Sequence, residues 1–189
     1  MDKPFIFVAG LGRCGTTMVM TMLDRGGFPV GDVPPAYEDR TPLRPGKVMM
    51  ADLEPFRGVA IKWIDPTLAK LPPLMRARTI WLERDPIEQA RSQFKLLGLK
   101  ATRAQVRALA SGIRSDTVKA RQIVDRLGPV LPMTFERILA APIIEAARIR
   151  DFLGHLDIGK ASAAVIRRHT ACAPDLIIEA RLMRKALNG

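Results

Sequence analysis

Three glycines, an arginine and two threonines are grouped near the start of the chain, directly after five apolar residues. The apolar run 5–9 contains aromatic and β-branched residues, which predicts a short buried strand. The glycines stand at positions 10, 12 and 15, and an apolar run that suits a helix begins at Met18. A strand, a glycine loop and a helix in this order direct backbone N–H groups and the positive end of the helix dipole at a bound anion. The stretch therefore predicts a phosphate-binding loop.

The side chains of this loop differ from those of a nucleoside-triphosphate loop. Gly10 and Gly15 have the spacing of a Walker A motif, and Thr17 stands at its Ser/Thr position. The lysine of that motif is absent, because Thr16 occupies its place, and the cation of the loop is Arg13. We therefore expect a loop that binds phosphate without the usual nucleoside-triphosphate chemistry.

Cys14 also stands in the loop, and a thiol at a helix N-terminus is a candidate nucleophile. A phosphatase loop of the Cys-x5-Arg type would need an arginine where this chain has Met20. We therefore expect Cys14 to belong to the phosphate loop rather than to attack a phosphate.

A second basic motif follows a later strand. Residues 79–82 predict this strand, and Arg84 stands just after it. Asp85 is a favourable N-cap and Pro86 suits the first helical position, so a helix should begin here, with Ser92 about two turns along it. An arginine fork and a serine hydroxyl can bind one phosphate group, which predicts a second phosphate contact at Arg84 and Ser92.

The two motifs together resemble those of sulfotransferases. The 5′-phosphosulfate loop of that family reads roughly Pro, Lys or Arg, Ser, Gly, Thr, Thr, and residues 13–17 match it, with Gly12 and Cys14 in place of the proline and the serine. The stretch 81–95 is similar to the family segment that holds the 3′-phosphate of the donor. Residues 134–154 are similar to a further family segment, a strand followed by a helix that ends in Phe-Leu-Gly.

The resemblance implies a short, divergent, bacterial-type member with a P-loop NTPase-like fold, three αβα layers and a central parallel sheet of about four or five strands. The alternation of predicted strands and helices independently favours a parallel α/β sheet. The resemblance further implies transfer of a sulfuryl group from 3′-phosphoadenosine 5′-phosphosulfate (PAPS) to a hydroxyl or amine of a small molecule or saccharide, with no metal required. The donor would be bound by Gly12, Arg13, Cys14, Gly15, Thr16, Thr17, Arg84 and Ser92.

Sulfuryl transfer needs a group that stabilises the departing phosphate and a group that takes the proton of the acceptor. Arg13 can serve the first need, and Lys62 follows a predicted strand at 59–61, where the family has a lysine with such a role. The cytosolic branch has a histidine base two positions after this lysine, and no histidine stands there. The candidate bases are therefore two carboxylates, Glu38 and Asp65, and we prefer Glu38 because a family glutamate often follows the first helix.

Two further regions should determine which acceptor binds. Residues 31–57 are rich in proline and charge, which predicts a long irregular loop on the acceptor side. Residues 100–127 predict helix from a capping box at Thr102 onward, with Gly112 and Ser115-Asp116 as a possible division between two helices.

The remaining chain predicts a first helix over 16–25, an edge strand over 130–135 and a helix over 142–153 that Gly154 ends. Short helical stretches follow near 159–168 and 174–187. Arg167 and Arg168 are either further ligands of the 3′-phosphate or part of an exposed helix face.

Composition favours one globular domain spanning residues 1–189. We expect a cytoplasmic location, because the sequence has neither a signal-peptide pattern nor an apolar stretch long enough for a bilayer. The net charge of +11 suits a polyanionic ligand or simply a solubilising surface, and no nucleic-acid-binding signature is present. Cys14 and Cys172 do not suggest disulfides, and His155 and His169 predict no metal site.

Two alternative functions remain open at this stage. A P-loop kinase of a small molecule would need a loop lysine, which is absent, and an acidic Mg²⁺ ligand, for which Asp65 and Asp85 are candidates. A catalytically degenerate nucleotide-binding protein would bind the donor without turnover.

Overall fold

The computed structural model of the protein describes residues 3–73 and 75–165. Its elements, in chain order, are β1 (Phe5–Gly10), α1 (Thr16–Arg25), β2 (Gly46–Lys47), α2 (Met50–Leu53), a 3-10 turn (Glu54–Phe56), β3 (Ala60–Ile64), β4 (Ala69–Lys70), β5 (Ala77–Glu83), α3 (Pro86–Leu96), α4 (Arg103–Asp125), β6 (Val130–Thr134), α5 (Phe135–Ala140), α6 (Pro142–Leu153) and α7 (Ile158–Ala163).

The central sheet has four parallel strands in the order β3-β1-β5-β6, which confirms the predicted parallel sheet. All six residues of β1 are buried, as expected for an inner strand with helices on both faces. Alternate side chains of β1 therefore enter two separate apolar cores. Phe5 and Phe7 join the core on the α3–α4 side, whereas Ile6 and Val8 join the core on the side of α1 and α6. These two cores make the three-layer αβα arrangement.

The strand predicted at 59–61 is longer than expected, because Ala60–Ile64 all pair with β1. Lys62 consequently lies inside the strand rather than after it, opposite Val8. The sequence pattern did not predict this extension, because a charged residue after a short apolar run usually indicates the end of a strand.

The region 31–57 is not wholly irregular. Its second half contains β2, α2 and the 3-10 turn, and β2 pairs in parallel with β4 outside the main sheet. The first half lacks regular structure except for a single bridge between Val30 and Ala60 at its start. The prolines limit helix and strand length here but do not prevent short elements.

The predicted division of 100–127 at Gly112 is wrong, since α4 runs unbroken from Arg103 to Asp125. The capping box of Thr102 and Gln105 starts the helix as predicted. Its buried stripe continues past Gly112 to Val124, and this packing outweighs the ~1 kcal/mol cost of one interior glycine.

The first helix, the edge strand β6 and the helix α6 lie where the sequence predicts them, and Gly154 ends α6 with a φ of 98°. The first part of the helical stretch predicted near 159–168 is α7, which ends at Ala163, whereas residues 166–168 and the stretch predicted at 174–187 lie outside the described residues. None of the helices in the described part combines the length and the apolar character needed to cross a bilayer.

Candidate functional site

The glycine loop joins β1 to α1 at the carboxyl edge of the central sheet, the edge where open parallel sheets bind ligands. Gly15 is the N-cap of α1 in a left-handed conformation, with φ of 105°, and no side chain caps this helix. The first N–H groups of α1 therefore remain available to an anion, where the helix dipole adds positive potential.

Two glycines of the loop are required by its geometry. A Cβ on Gly10 would lie 2.5 Å from the Cys14 sulfur and 2.6 Å from the Leu82 carbonyl oxygen. A Cβ on Gly15 would lie 2.7 Å from the Phe135 ring, and its positive φ disfavours other residues. The loop is thus enclosed by β5 and α5 as well as by its own chain.

The structure brings the two predicted phosphate motifs together. The Arg13 Nε donates to Ser92 Oγ at 3.2 Å, although the two residues are 79 positions apart. Arg84 donates to the Arg13 carbonyl oxygen at 3.4 Å, and its guanidinium lies over the Phe135 ring at 4.4 Å. The Nε of Arg84 is buried and has no hydrogen-bond partner among the described residues. Two guanidinium groups therefore adjoin the glycine loop.

Two glutamines that the sequence argument did not single out hold the loop in place. The side-chain amide of Gln89 donates to the Gly12 carbonyl oxygen at 2.6 Å, and that of Gln93 reaches the same oxygen at 3.3 Å. Both side chains are almost completely buried. The sequence pattern that could have revealed them is a pair of polar residues at i and i+4 on α3, next to its apolar stripe.

Lys62 is the buried cation of the site, with 3% of its surface exposed. Its neighbours Ile61 and Trp63 face the α3–α4 core, so the alternation of the strand directs Lys62 toward α1. There its ammonium donates to Thr17 Oγ1 at 2.7 Å and to the Ala36 carbonyl oxygen at 3.0 Å.

The third partner of the Lys62 ammonium is the Glu38 carboxylate, in a short salt bridge. An ammonium has three N–H donors, so these contacts with Thr17, Ala36 and Glu38 use all of them. Lys62 therefore contacts both the threonine of the glycine loop and the glutamate that the sequence analysis prefers as the base.

Glu38 is positioned by two anchors in the surrounding segment. The buried Asp32 carboxylate accepts backbone N–H groups from Val33, Arg40 and Thr41 at 2.8, 2.7 and 3.1 Å. The hydroxyl of Tyr37 donates to the Asp24 carboxylate of α1 at 2.8 Å. Burial and this hydrogen bond raise the pKa of Tyr37 to about 12.

Asp65 and Asp85, the other acidic candidates, both support turns. Asp65 is fully buried, and one carboxylate oxygen accepts the Thr67 N–H at 3.0 Å and the Thr67 hydroxyl at 2.6 Å. Asp85 caps α3 by accepting the Glu88 N–H at 2.9 Å. Asp65 and Asp85 thus stabilise local structure, whereas Glu38 is joined to the glycine loop through Lys62.

Within the described part of the chain, the remaining predicted residues accept no hydrogen bond from the Lys62 ammonium. The Cys14 side chain packs in the core on the α1 side, and Thr16 is buried at the start of α1. No cluster of three or more metal-ligating side chains is found within residues 3–73 and 75–165. His155 stacks on Phe28, and Arg167, Arg168, His169 and Cys172 lie outside the described residues.

The fold is that of sulfotransferases, and solved structures of this class are similar over nearly the whole chain. The mouse sulfotransferase SULT7A1, solved in complex with PAP, has a TM-score of 0.53 over 97% of this chain and 64% of its own length. A sulfotransferase from Alicyclobacillus acidocaldarius has a TM-score of 0.51 over 100% of this chain and 93% of its own.

The sulfotransferase domain of the Synechococcus PCC 7002 olefin synthase has a TM-score of 0.56 and covers 100% of this chain and 90% of that domain. Each of the three is 16% identical to this chain, so the likeness establishes the fold. The chain spans less than two thirds of the mouse enzyme. No family model matches the chain, and no curated protein matches it in sequence.

Proposed function

We propose that the protein is a sulfotransferase that moves a sulfuryl group from PAPS to a hydroxyl or amine of a small molecule or saccharide. The observation that carries this proposal is the contact of the Lys62 ammonium with both Thr17 of the glycine loop and the Glu38 carboxylate. Through this contact, a lysine of β3 lies beside both the anion-binding loop, which lacks a Walker lysine, and a candidate base.

On the donor side, the amides at the start of α1 and the Arg13 guanidinium would bind the 5′-phosphosulfate. Arg84 and Ser92 would bind the 3′-phosphate, and their proximity to Arg13 supports one continuous site for both phosphate groups of the donor. Guanidinium groups suit this role because they present several N–H donors to phosphate oxygens in a fixed plane.

In the transfer step, the acceptor oxygen or nitrogen forms a bond to sulfur while the bond from sulfur to the 5′-phosphate oxygen breaks. The electron pair of that bond leaves with adenosine 3′,5′-bisphosphate, whose developing charge Lys62 and Arg13 stabilise. The proton of the acceptor passes to the Glu38 carboxylate.

Lys62 would couple donor binding to this proton transfer. All three of its N–H donors have partners in the described structure, so a sulfonate or bridging oxygen must replace one of them. A donor oxygen in the place of the Glu38 carboxylate would break the salt bridge between Glu38 and Lys62, and the carboxylate could then accept the proton. Donor binding would thus expose the base.

The donor site is tested by calorimetric titration with adenosine 3′,5′-bisphosphate and, separately, with ATP and Mg²⁺. We expect magnesium-independent binding of the bisphosphate, weakened about tenfold or more in Arg84→Ala. Absence of bisphosphate binding, with ATP bound instead, would reject this function in favour of the kinase.

The base is tested by PAPS consumption with a panel of phenols, alcohols, amines and saccharides. Glu38→Gln should lower turnover by about 10²–10⁴-fold while bisphosphate affinity is kept. Asp39→Asn is the matched control, because Asp39 is adjacent and exposed. Bisphosphate binding without turnover of any acceptor in the wild type would indicate the degenerate binding protein.

A further inference from the structure

A cleft of about 500 Å³ lies between α3 and α4, separate from the glycine loop. Its floor is apolar and continuous with the α3–α4 core, because Phe94 is buried in that core and Ile87 and Val106 pack against it. Leu99 lies at the rim with 54% of its surface exposed. The residues that line this α3–α4 cleft are Ile87, Arg91, Phe94, Lys95, Leu99, Ala101, Arg103, Val106 and Arg107.

The wall of the α3–α4 cleft carries four cations and no carboxylate. Arg91 pairs with Glu88 at 2.5 Å. Lys95, Arg103 and Arg107 have no ion-pair partner within the described part of the chain. The cleft therefore combines an apolar floor with uncompensated positive charge.

The start of α4 also carries an excess of positive charge. The first turns of a helix favour acidic residues, because the helix dipole is positive there. In α4 the first turn contains no acidic residue, Arg103 adds charge of the same sign as the dipole, and Arg107 adds a further positive charge one turn later. An arrangement that costs helix stability locally points to a function for these arginines.

We propose that the α3–α4 cleft is a second ligand site, which binds a small amphipathic anion. The apolar floor would contact a medium-length hydrocarbon chain, and the arginine wall would bind a carboxylate or similar head group. The volume falls within the ~300–1,000 Å³ typical of small-molecule sites. This inference does not depend on sulfuryl transfer, since it uses none of the side chains proposed to bind the donor or to act in the transfer step.

The test is calorimetric titration of the full chain with three probes below their micelle concentrations: decanoate, acetate and decyltrimethylammonium. Decanoate should bind saturably at one site. Acetate lacks the chain and decyltrimethylammonium has the opposite charge, so each should bind at least about tenfold more weakly. Equal binding of decanoate and decyltrimethylammonium would contradict a site defined by charge.

Two matched pairs of variants locate the site. The double variant Arg103→Ala/Arg107→Ala should weaken decanoate binding about tenfold or more, whereas Lys47→Ala/Lys70→Ala, with the same loss of charge at exposed positions, should leave it unchanged. Leu99→Asp should also weaken binding, and Val118→Asp, at a position that is 59% exposed, should not.

Several outcomes would overturn the proposal. The first is absence of saturable decanoate binding, and the second is equal affinity in the two double variants. Competition by adenosine 3′,5′-bisphosphate, with full affinity in Arg103→Ala/Arg107→Ala, would place decanoate at the glycine loop instead. Co-sedimentation with phosphatidylglycerol vesicles, or self-association, that requires these arginines while decanoate does not bind would assign the surface to a membrane or to a second copy.

Discussion

The glycine loop and the 31–45 segment adjoin the same lysine but are held in different ways. The glycine loop is held by side chains of another element, because the Gln89 and Gln93 amides of α3 donate to the Gly12 carbonyl oxygen, and it has no room for a side chain at Gly10. The 31–45 segment is held by two of its own side chains, Asp32 and Tyr37. The two regions should therefore respond separately to mutation.

The largest expected effect comes from removing the Asp32 anchor. Asp32→Ala leaves three backbone N–H groups without their acceptor and should lower the free energy of unfolding by about 3–4 kcal/mol, measured by urea denaturation. Asp32→Asn, which keeps one oxygen, should lose less. Bisphosphate affinity of the folded Asp32→Asn variant should stay within about twofold of wild type. A tenfold loss would contradict the independence of the two regions.

A clash in the glycine loop should have a slightly smaller effect on stability but, unlike the change at Asp32, should weaken bisphosphate binding. Gly10→Ala places a methyl group against Cys14 and the Leu82 carbonyl oxygen, which should cost about 2–3 kcal/mol and weaken the bisphosphate. Gly159→Ala is the control, because its Cβ meets only Asp157, at 3.4 Å. Thermal unfolding and bisphosphate titration of both variants would measure the difference.

Variants of the two glutamines test how the glycine loop is held in place. Gln89→Ala should lower the free energy of unfolding by about 1–2 kcal/mol, because Gln89 makes the shorter hydrogen bond to Gly12. Gln93→Ala should cost less, since its amide lies 3.3 Å from the same oxygen. Larger destabilisation by Gln93→Ala would show that the longer contact is the one that fixes the loop.

The smallest effect is expected at Tyr37 and depends on pH. Tyr37→Phe removes the hydrogen bond to Asp24 and should cost about 1 kcal/mol at neutral pH. The raised pKa of Tyr37 means that the folded state favours the neutral phenol, so its stabilising contribution is complete below pH 10 and is lost as pH rises toward about 12. Chemical unfolding between these values should show wild type losing its advantage over Tyr37→Phe. A constant difference would contradict the assigned pKa.

Local patterns account well for the elements that carry the loop. Apolar runs predict β1 and β5, and the N-cap Asp85 with Pro86 predicts the start of α3. They fail where packing outweighs local preference. The continuous buried stripe of α4 overrides Gly112, and pairing with β1 extends β3 through the charged Lys62.

Some residues of the candidate site could likewise be predicted from the sequence, and others could not. The phosphate motifs at Arg13 and Arg84 could be recognised because each is a short run of residues beside a strand end. Gln89, Asp32 and Tyr37 could not be assigned their roles, because the residue type alone does not reveal which carbonyl oxygen, N–H group or carboxylate the side chain will contact.

The sequence by itself determined the strand–loop–helix unit, the absence of a Walker lysine and the second basic motif. These properties depend on residues within a few positions of one another, where glycine conformation, capping and periodicity act directly. Only the tertiary structure decided that Arg13 meets Ser92 and that Lys62 meets Thr17 and Glu38. These contacts join distant parts of the chain, and the order and pleat of the parallel strands set which side chains reach one edge of the sheet.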